Sequence, residues 1–169
     1  MGVRDIWVIS DTHFGHDNII KYCGRPFKDA KEADEVMIEN WNRTVKPSDI
    51  VYHLGDVHFY KKEVEAYETL KALQGHKRLI VGNHDDVPQL VRSGMFEKIM
   101  LWRVWKDFGI IMSHIPMHVS QLELKRFGDH MINVHGHIHD QDSPEGPYRN
   151  VSVEKIGYTP INIEELRTV

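Results

Sequence analysis

Five short apolar runs in this chain each end on a residue that can ligate a metal ion, and no other regularity constrains its fold and chemistry as tightly. Residues 6–9 (IWVI) lead into Ser10-Asp11-Thr12-His13, and residues 50–54 (IVYHL) into Gly55-Asp56. Residues 79–81 lead into Gly82-Asn83-His84-Asp85, residues 110–112 through Ser113 into His114, and residues 131–134 into His135-Gly136-His137-Ile138-His139. Their length and β-branched content mark these runs as strands, several of them buried on both faces. In layered α/β domains the carboxyl ends of strands line a common crevice, so these distant loops are predicted to meet.

The side chains at the five ends suit one class of ion. Asp and Asn supply hard oxygens and neutral imidazoles supply borderline nitrogens, a mixture that favours Mn, Fe, Co, Ni or Zn. Asp11, His13, Asp56, Asn83, His114, His137 and His139 are too many ligands for one tetrahedral ion, and they suit two ions sharing a carboxylate. Asp11 and His13 are two apart, as are His137 and His139, so extended backbone projects each pair to one side. Gly55, Gly82 and Gly136 each precede a proposed ligand, where the chain must turn sharply and approach the ions closely. Two divalent cations against the carboxylates of Asp11 and Asp56 leave a net positive charge. That excess can hold a hydroxide and an anionic phosphoryl group together, as two-metal phosphoesterases do.

Between the strands, Ala33, Val36, Met37 and Trp41 recur at the spacing of an amphipathic helix, and Val64, Tyr67, Leu70 and Leu73 repeat it over residues 61–74. Gly75 stands where a helix terminates, and Asp86-Val87-Pro88 reads as the start of a third, short helix. Further apolar runs at residues 99–105 and 151–156 read as strands. Trp102 and Trp105, with Ile99 and Leu101, place large apolar groups on both faces of the first of these, for core packing or for a dimer interface. Strands that first alternate with helices and later follow one another predict a mixed sheet layered with helices, an α/β or α+β domain.

With no repeat or linker, residues 1–169 read as one domain, and 41% apolar residues are enough for a core at this length. A net charge of −4 argues against a partner that tracks long nucleic acid. No run approaches a membrane span, no leader is evident, and the single cysteine, Cys23, fits a reducing compartment; a cytoplasmic location is expected.

At the five blocks the sequence resembles the calcineurin-like metallophosphoesterase superfamily, whose pattern runs Asp-x-His, Gly-Asp, Gly-Asn-His-Asp/Glu, a lone His and Gly-His-x-His. All five occur in order over residues 11–139. The resemblance implies a mixed β-sheet sandwich flanked by helices, with a dinuclear site at the carboxyl ends of the strands. Asp11, His13 and His139 would bind one divalent ion and Asn83, His114 and His137 the other, with Asp56 bridging; manganese is favoured. A hydroxide activated by the ions would attack phosphorus, and His84 would serve as the general acid.

Departures from the family's branches narrow the reading. Protein phosphatases continue Gly-Asp with Val-Asp-Arg-Gly, whereas Gly55-Asp56 continues Val57-His58-Phe59-Tyr60; the phosphate-clamping Arg and the Asp that orients the catalytic His are both missing. Purple acid phosphatases carry Tyr where Phe59 stands. Asp-Thr-His-Phe-Gly-His at residues 11–16 and Ser-His-x-Pro at residues 113–116 resemble small bacterial and phage phosphoesterases. A small or nucleotide-like phosphodiester is therefore the expected substrate, with a phosphomonoester as the alternative. His16, Arg25 and His58 are candidate substrate-binding residues; packing neighbours, and for Arg25 a surface arginine, are the plainer readings. His53 and His135 read as structural. A non-catalytic metal-binding module would show the same ligands without turnover. An amidohydrolase barrel would need a longer chain and its His-x-His after the first strand.

Overall fold

The computed structural model describes residues 4–124 and 129–167, so the domain expected over residues 1–169 extends beyond them at both ends. In chain order the elements are β1 (Ile6–Ile9), α1 (Asp17–Tyr22), α2 (Ala30–Thr44), β2 (Ile50–His53), α3 (Glu63–Ala72), β3 (His76–Ile80) and α4 (Val87–Ser93). There follow β4 (Lys98–Met100), β5 (Trp102–Trp105), β6 (Ile110–Ser113), β7 (Glu123–Leu124), β8 (Asp129–His130), β9 (Ile132–His135), β10 (Tyr148–Asn150) and β11 (Ile161–Asn162). The first half alternates strand with helix and the second half is largely strand, as the sequence pattern predicts.

Two sheets form the sandwich. One has the order β11-β1-β2-β3-β4 and the other β10-β9-β6-β5, while β7 and β8 pair as a separate ribbon. The β1, β2, β3 and β4 ladder is parallel, with Ile9 opposite His53 and His53 opposite Leu79, and only β11 runs against it. Residues at successive positions face opposite ways, and their packing follows that alternation. Val8, Tyr52, Leu54 and Ile80 meet Ile110, Met112, Ile132 and Val134 of the second sheet. Ile9, Val51 and Leu79 meet Ile19, Met37, Trp41, Leu70 and Leu90 of the four helices on the other side. The layers are thus helix, sheet, sheet. Among the described residues no helix is long and apolar enough to cross a membrane.

Local chemistry accounts for the helix ends. Asp29 caps α2 by accepting from the Glu32 amide at 2.9 Å, and Asp86 caps α4 by accepting from the Gln89 amide at 3.0 Å with proline in the first turn. The Trp41 indole, buried under α2, donates to the Gln74 carbonyl at 2.9 Å, which anchors that helix to the turn before β3.

Three features differ from the sequence expectations. The run at 99–105 is not one strand: it breaks at Leu101, where the chain leaves the edge of the first sheet and enters the edge of the second. Trp105 packs inside the sandwich, while Trp102 on the outer face is 57% exposed. The run at 151–156 forms no strand, because after an isolated bridge between Ser10 and Ser152 the chain turns away, with Val151 and Val153 buried. Helix α1, only six residues long, gives too few turns for a periodic signal.

Candidate metal centre

The five loops do converge, but not through the extended backbone that the two-residue spacing suggests. Asp11, His13, Asp56, His137 and His139 have φ of 57°, 50°, 56°, 71° and 48°, all in the left-handed region. Among the described non-glycine residues only Tyr158 shares it. Each such residue costs ~1–3 kcal/mol and persists only where its surroundings hold it. Here the surroundings are specific. The Asp11 amide donates to Gly55 O at 3.0 Å and the His13 amide to Asp56 O at 3.1 Å, lacing the first loop to the second. The half-buried Asp85 carboxylate accepts from the amides of Gly82, Asp56 and Val57 at 2.7, 3.1 and 2.9 Å, lacing the second loop to the third. The sharp turns are therefore made largely by the proposed ligands themselves. Gly82 and Gly136 serve close approach: a Cβ on Gly82 would overlap the Asp56 side chain, and one on Gly136 would overlap Ser10 Oγ and Asp11 Oδ2.

Two groups of side chains result. One nitrogen or oxygen from each of Asp11, His13 and His139 lies within 4.8 Å of the others, and the same holds for Asp56, His114 and His137. Asp56 Oδ2 stands between the groups, 3.6 Å from His13 Nε2 and 3.5 Å from His114 Nε2. Asn83 Oδ1 lies 2.9 Å from His114 Nε2, beside the second group. His137 and His139 thus fall in different groups, although two-residue spacing in extended backbone would place them together.

These residues fit a pair of cations. Asp11 Oδ1 and both ring nitrogens of His13 are buried without a hydrogen-bond partner, a costly arrangement for protein atoms alone. His114 Nδ1 lies 2.7 Å from the Leu54 carbonyl, which can only accept, so the neutral ring carries its proton there. Its Nε2 lone pair then faces the oxygens of Asn83 and Asp56, an arrangement that a positive charge between them relieves. Without an ion the proton fills that place: burial is the largest influence and opposes charge on His114, but the hydrogen bond to Asp56, the Asp11 and Asp56 charges and the Leu54 carbonyl together outweigh it and push its pKa up. Burial also disfavours the Asp56 carboxylate, yet His114 and the His84 amide hold it below the usual carboxylate range. Burial drives the His13 imidazole down to about 2, so it stays neutral and able to ligate.

The remaining proposed residues divide. His84 is exposed at the rim; its backbone amide donates to Asp56 Oδ1 at 2.9 Å, and its ring centre lies 6.0 Å from that of His13 and 5.2 Å from that of Phe59. Asp85, next to His84 in sequence, spends both carboxylate oxygens on loop amides. His16 stacks on Phe59 at 4.1 Å and lies 5.5 Å from His13, inside the site. His58 is half buried and stacks on Tyr60 at 5.8 Å. Arg25 requires correction: its guanidinium is 0% exposed and donates to the carbonyls of Asp11 and Thr12 and to the Glu154 carboxylate, so it presents no free fork to a phosphate.

Sequence reasoning misses two acidic residues that the fold brings to the site. Asp85 knits the second and third loops, and its only sequence signal is membership of the Gly-Asn-His-Asp block. Glu154 lies 3.1 Å from His139 Nδ1 and has no signal at all, since it sits in a segment that reads as strand. His53 and His135 are buried and structural as expected. His53 Nδ1 accepts from the Gly55 amide at 3.2 Å, so its other nitrogen donates to Thr12 Oγ1 at 2.9 Å.

Comparison with known proteins bears on these residues. A family model described as the calcineurin-like phosphoesterase superfamily domain matches residues 5–156. The uncharacterized protein MJ1445 of Methanocaldococcus jannaschii is 38% identical over 97% of this chain and 90% of its own length. The gene 66 protein of Mycobacterium phage L5 is 27% identical over 81% of this chain and 78% of its own. Among solved structures, the protein of unknown function AQ665 from Aquifex aeolicus aligns with a TM-score of 0.75 at 30% identity, covering 97% of this chain and 98% of that one.

Proposed function

The chain belongs to the calcineurin-like phosphoesterase superfamily, and from that premise we propose that it hydrolyses small or nucleotide-like phosphodiesters with two divalent ions, manganese favoured, in the cytoplasm. The observation that carries this reading is the position of Asp56 Oδ2, one carboxylate oxygen within 3.6 Å of a buried imidazole nitrogen from each of two ligand groups. Asp11, His13 and His139 would hold one ion and Asn83, His114 and His137 the other, with Asp56 shared. When bound, such a pair supplies Lewis acidity toward a phosphoryl oxygen and lowers the pKa of a water.

The chain's own groups do the rest. Asp11 is anchored by the His137 amide and the Ser152 hydroxyl, each at 2.9 Å, so its orientation is set before substrate arrives. His84 reaches the rim from the loop whose amide holds Asp56, and its ring is the group placed to donate a proton to the departing oxygen. His16 and Phe59 stack on each other beside His13, and Phe59 also lies against the His84 ring. Arg25 supports the choice of a diester. With its guanidinium consumed by carbonyls and Glu154, it provides no bidentate clamp for the second negative charge of a monoester.

The test is direct. Purified protein supplied with Mn²⁺ should hydrolyse bis-p-nitrophenyl phosphate faster than p-nitrophenyl phosphate, and Asp56→Asn should abolish turnover. Wild-type protein inert toward both across several divalent ions would overturn the reading; metal uptake without turnover would make it a binding module.

A further inference from the structure

We propose that Glu154 is a positioning residue of the metal centre: held by Arg25, it fixes the ring of His139 so that Nε2 is left bare for the group containing Asp11 and His13. The inference rests on the phosphoesterase reading above, because it takes that group to be a cation site.

Glu154 Oε1 lies 3.1 Å from His139 Nδ1, and the carboxylate side chain is 5% exposed. A carboxylate facing one ring nitrogen selects the tautomer with the proton there, so the neutral ring keeps its lone pair on Nε2. The same Oε1 accepts a hydrogen bond from Arg25 Nε at 2.9 Å and forms an ion pair with Arg25 Nη2 at 2.8 Å, so one rigid guanidinium holds the carboxylate in place. The guanidinium also donates to the carbonyls of Thr12 at 2.9 Å and Asp11 at 2.8 Å. One side chain therefore ties the carboxylate that orients His139 to the backbone that carries Asp11. Two ligands from opposite ends of the sequence are held at a set spacing through it.

The second group is supported differently. His114 is oriented by the Leu54 carbonyl at 2.7 Å, and Asp56 by the His84 amide; neither contact involves Glu154 or Arg25. Loss of Glu154 should therefore be felt at one ion and not at the other, which a general loss of structure would not produce.

The experiment uses the full chain. Metal-free wild type and Glu154→Gln are titrated with Co²⁺, followed by visible absorption, and the histidine ring nitrogens of both metal-free proteins are observed by ¹⁵N NMR at alkaline pH. Glu154→Gln keeps the side-chain volume, whereas Glu154→Ala would strand a buried guanidinium and endanger folding. The expected result is a fall of ~10–100-fold in affinity for one ion with the other nearly unchanged, the range typical when the group orienting a ligating histidine is altered. Wild-type His139 should show its proton on Nδ1, and the variant a mixture of tautomers. Equal weakening of both ions, no weakening of either, or a wild-type His139 protonated on Nε2 would overturn the proposal while leaving the phosphoesterase reading intact. Wild type that takes up no ion would overturn both.

Discussion

The Asp11 carboxylate accepts a hydrogen bond from the His137 backbone amide at 2.9 Å, joining two loops 126 residues apart. The other oxygen of that carboxylate is buried and has no protein partner. One atom of Asp11 thus belongs to the architecture and the other faces the ligand group. Burial raises the Asp11 pKa, since nothing in the protein alone fully compensates its charge. The last loop must lie flush against the first for this contact to form, and the consequence falls on the residue before His137.

Gly136→Ala places a methyl against Ser10 Oγ and Asp11 Oδ2, both on a loop already fixed by backbone hydrogen bonds. The expected cost is ~1–3 kcal/mol of stability, as for other overpacked sites, together with weaker metal uptake. Gly24→Ala is the control. Its added methyl meets nothing within 4 Å, so it should cost only the ~1–2 kcal/mol of a left-handed residue and leave metal uptake unchanged. Urea unfolding and metal titration of the two variants check the difference; equal metal affinities would contradict it.

Asp85→Asn removes one of the two oxygens that accept from three loop amides, and brings an NH₂ group toward donors. A loss of ~1–3 kcal/mol is expected, the usual cost of leaving a buried donor unsatisfied. If Asp85 instead served His84 in proton transfer, stability would hold and only the alkaline or acidic limb of the rate profile would move.

The buried His53 should cost the metal-free protein stability as pH falls. Burial pushes the His53 imidazole down from 6.5 to about 3, against the opposing pull of Asp56. Below 6.5 the unfolded chain takes up a proton that the folded one refuses, so the contribution is intact above that pH and is lost progressively toward 3. His13 acts in the same direction. In His53→Gln the slope of unfolding free energy with pH should be shallower by up to ~1.4 kcal/mol per pH unit over this window. Chemical denaturation at a series of pH values measures it, and an unchanged slope would refute it.

His84→Ala should lower kcat by ~10²–10⁴-fold, the usual worth of a positioned acid or base, without changing the number of ions bound. The side chain is exposed and only its backbone amide touches Asp56, so the variant should fold and load metal normally. Elemental analysis beside the diester assay checks both halves. A variant that loses an ion would place His84 among the ligands instead.

Much of the molecule follows from local sequence. Alternation of Val8 with Ile9, Tyr52 with Val51 and Ile80 with Leu79 fixes which residues face the helices and which the second sheet, because side chains on a strand alternate by geometry. The caps at Asp29 and Asp86 follow in the same way, from short-range hydrogen bonds. The meeting of Asp11, Asp56, His114 and His139 was also legible, since all four follow strands whose carboxyl ends share a crevice. Only the tertiary structure decided how they meet. Left-handed backbone at Asp11, His13, Asp56, His137 and His139 is maintained by amides and carboxylates from other loops, and no residue's own preference would select it. The same holds for Arg25, whose sequence neighbours leave it equally free to bind phosphate or sit on the surface; burial against Glu154 and two carbonyls settles its use. Contacts between residues such as Arg25 and Glu154, 129 positions apart, depend on where the whole chain brings its strands, and propensity or periodicity carries no information about them.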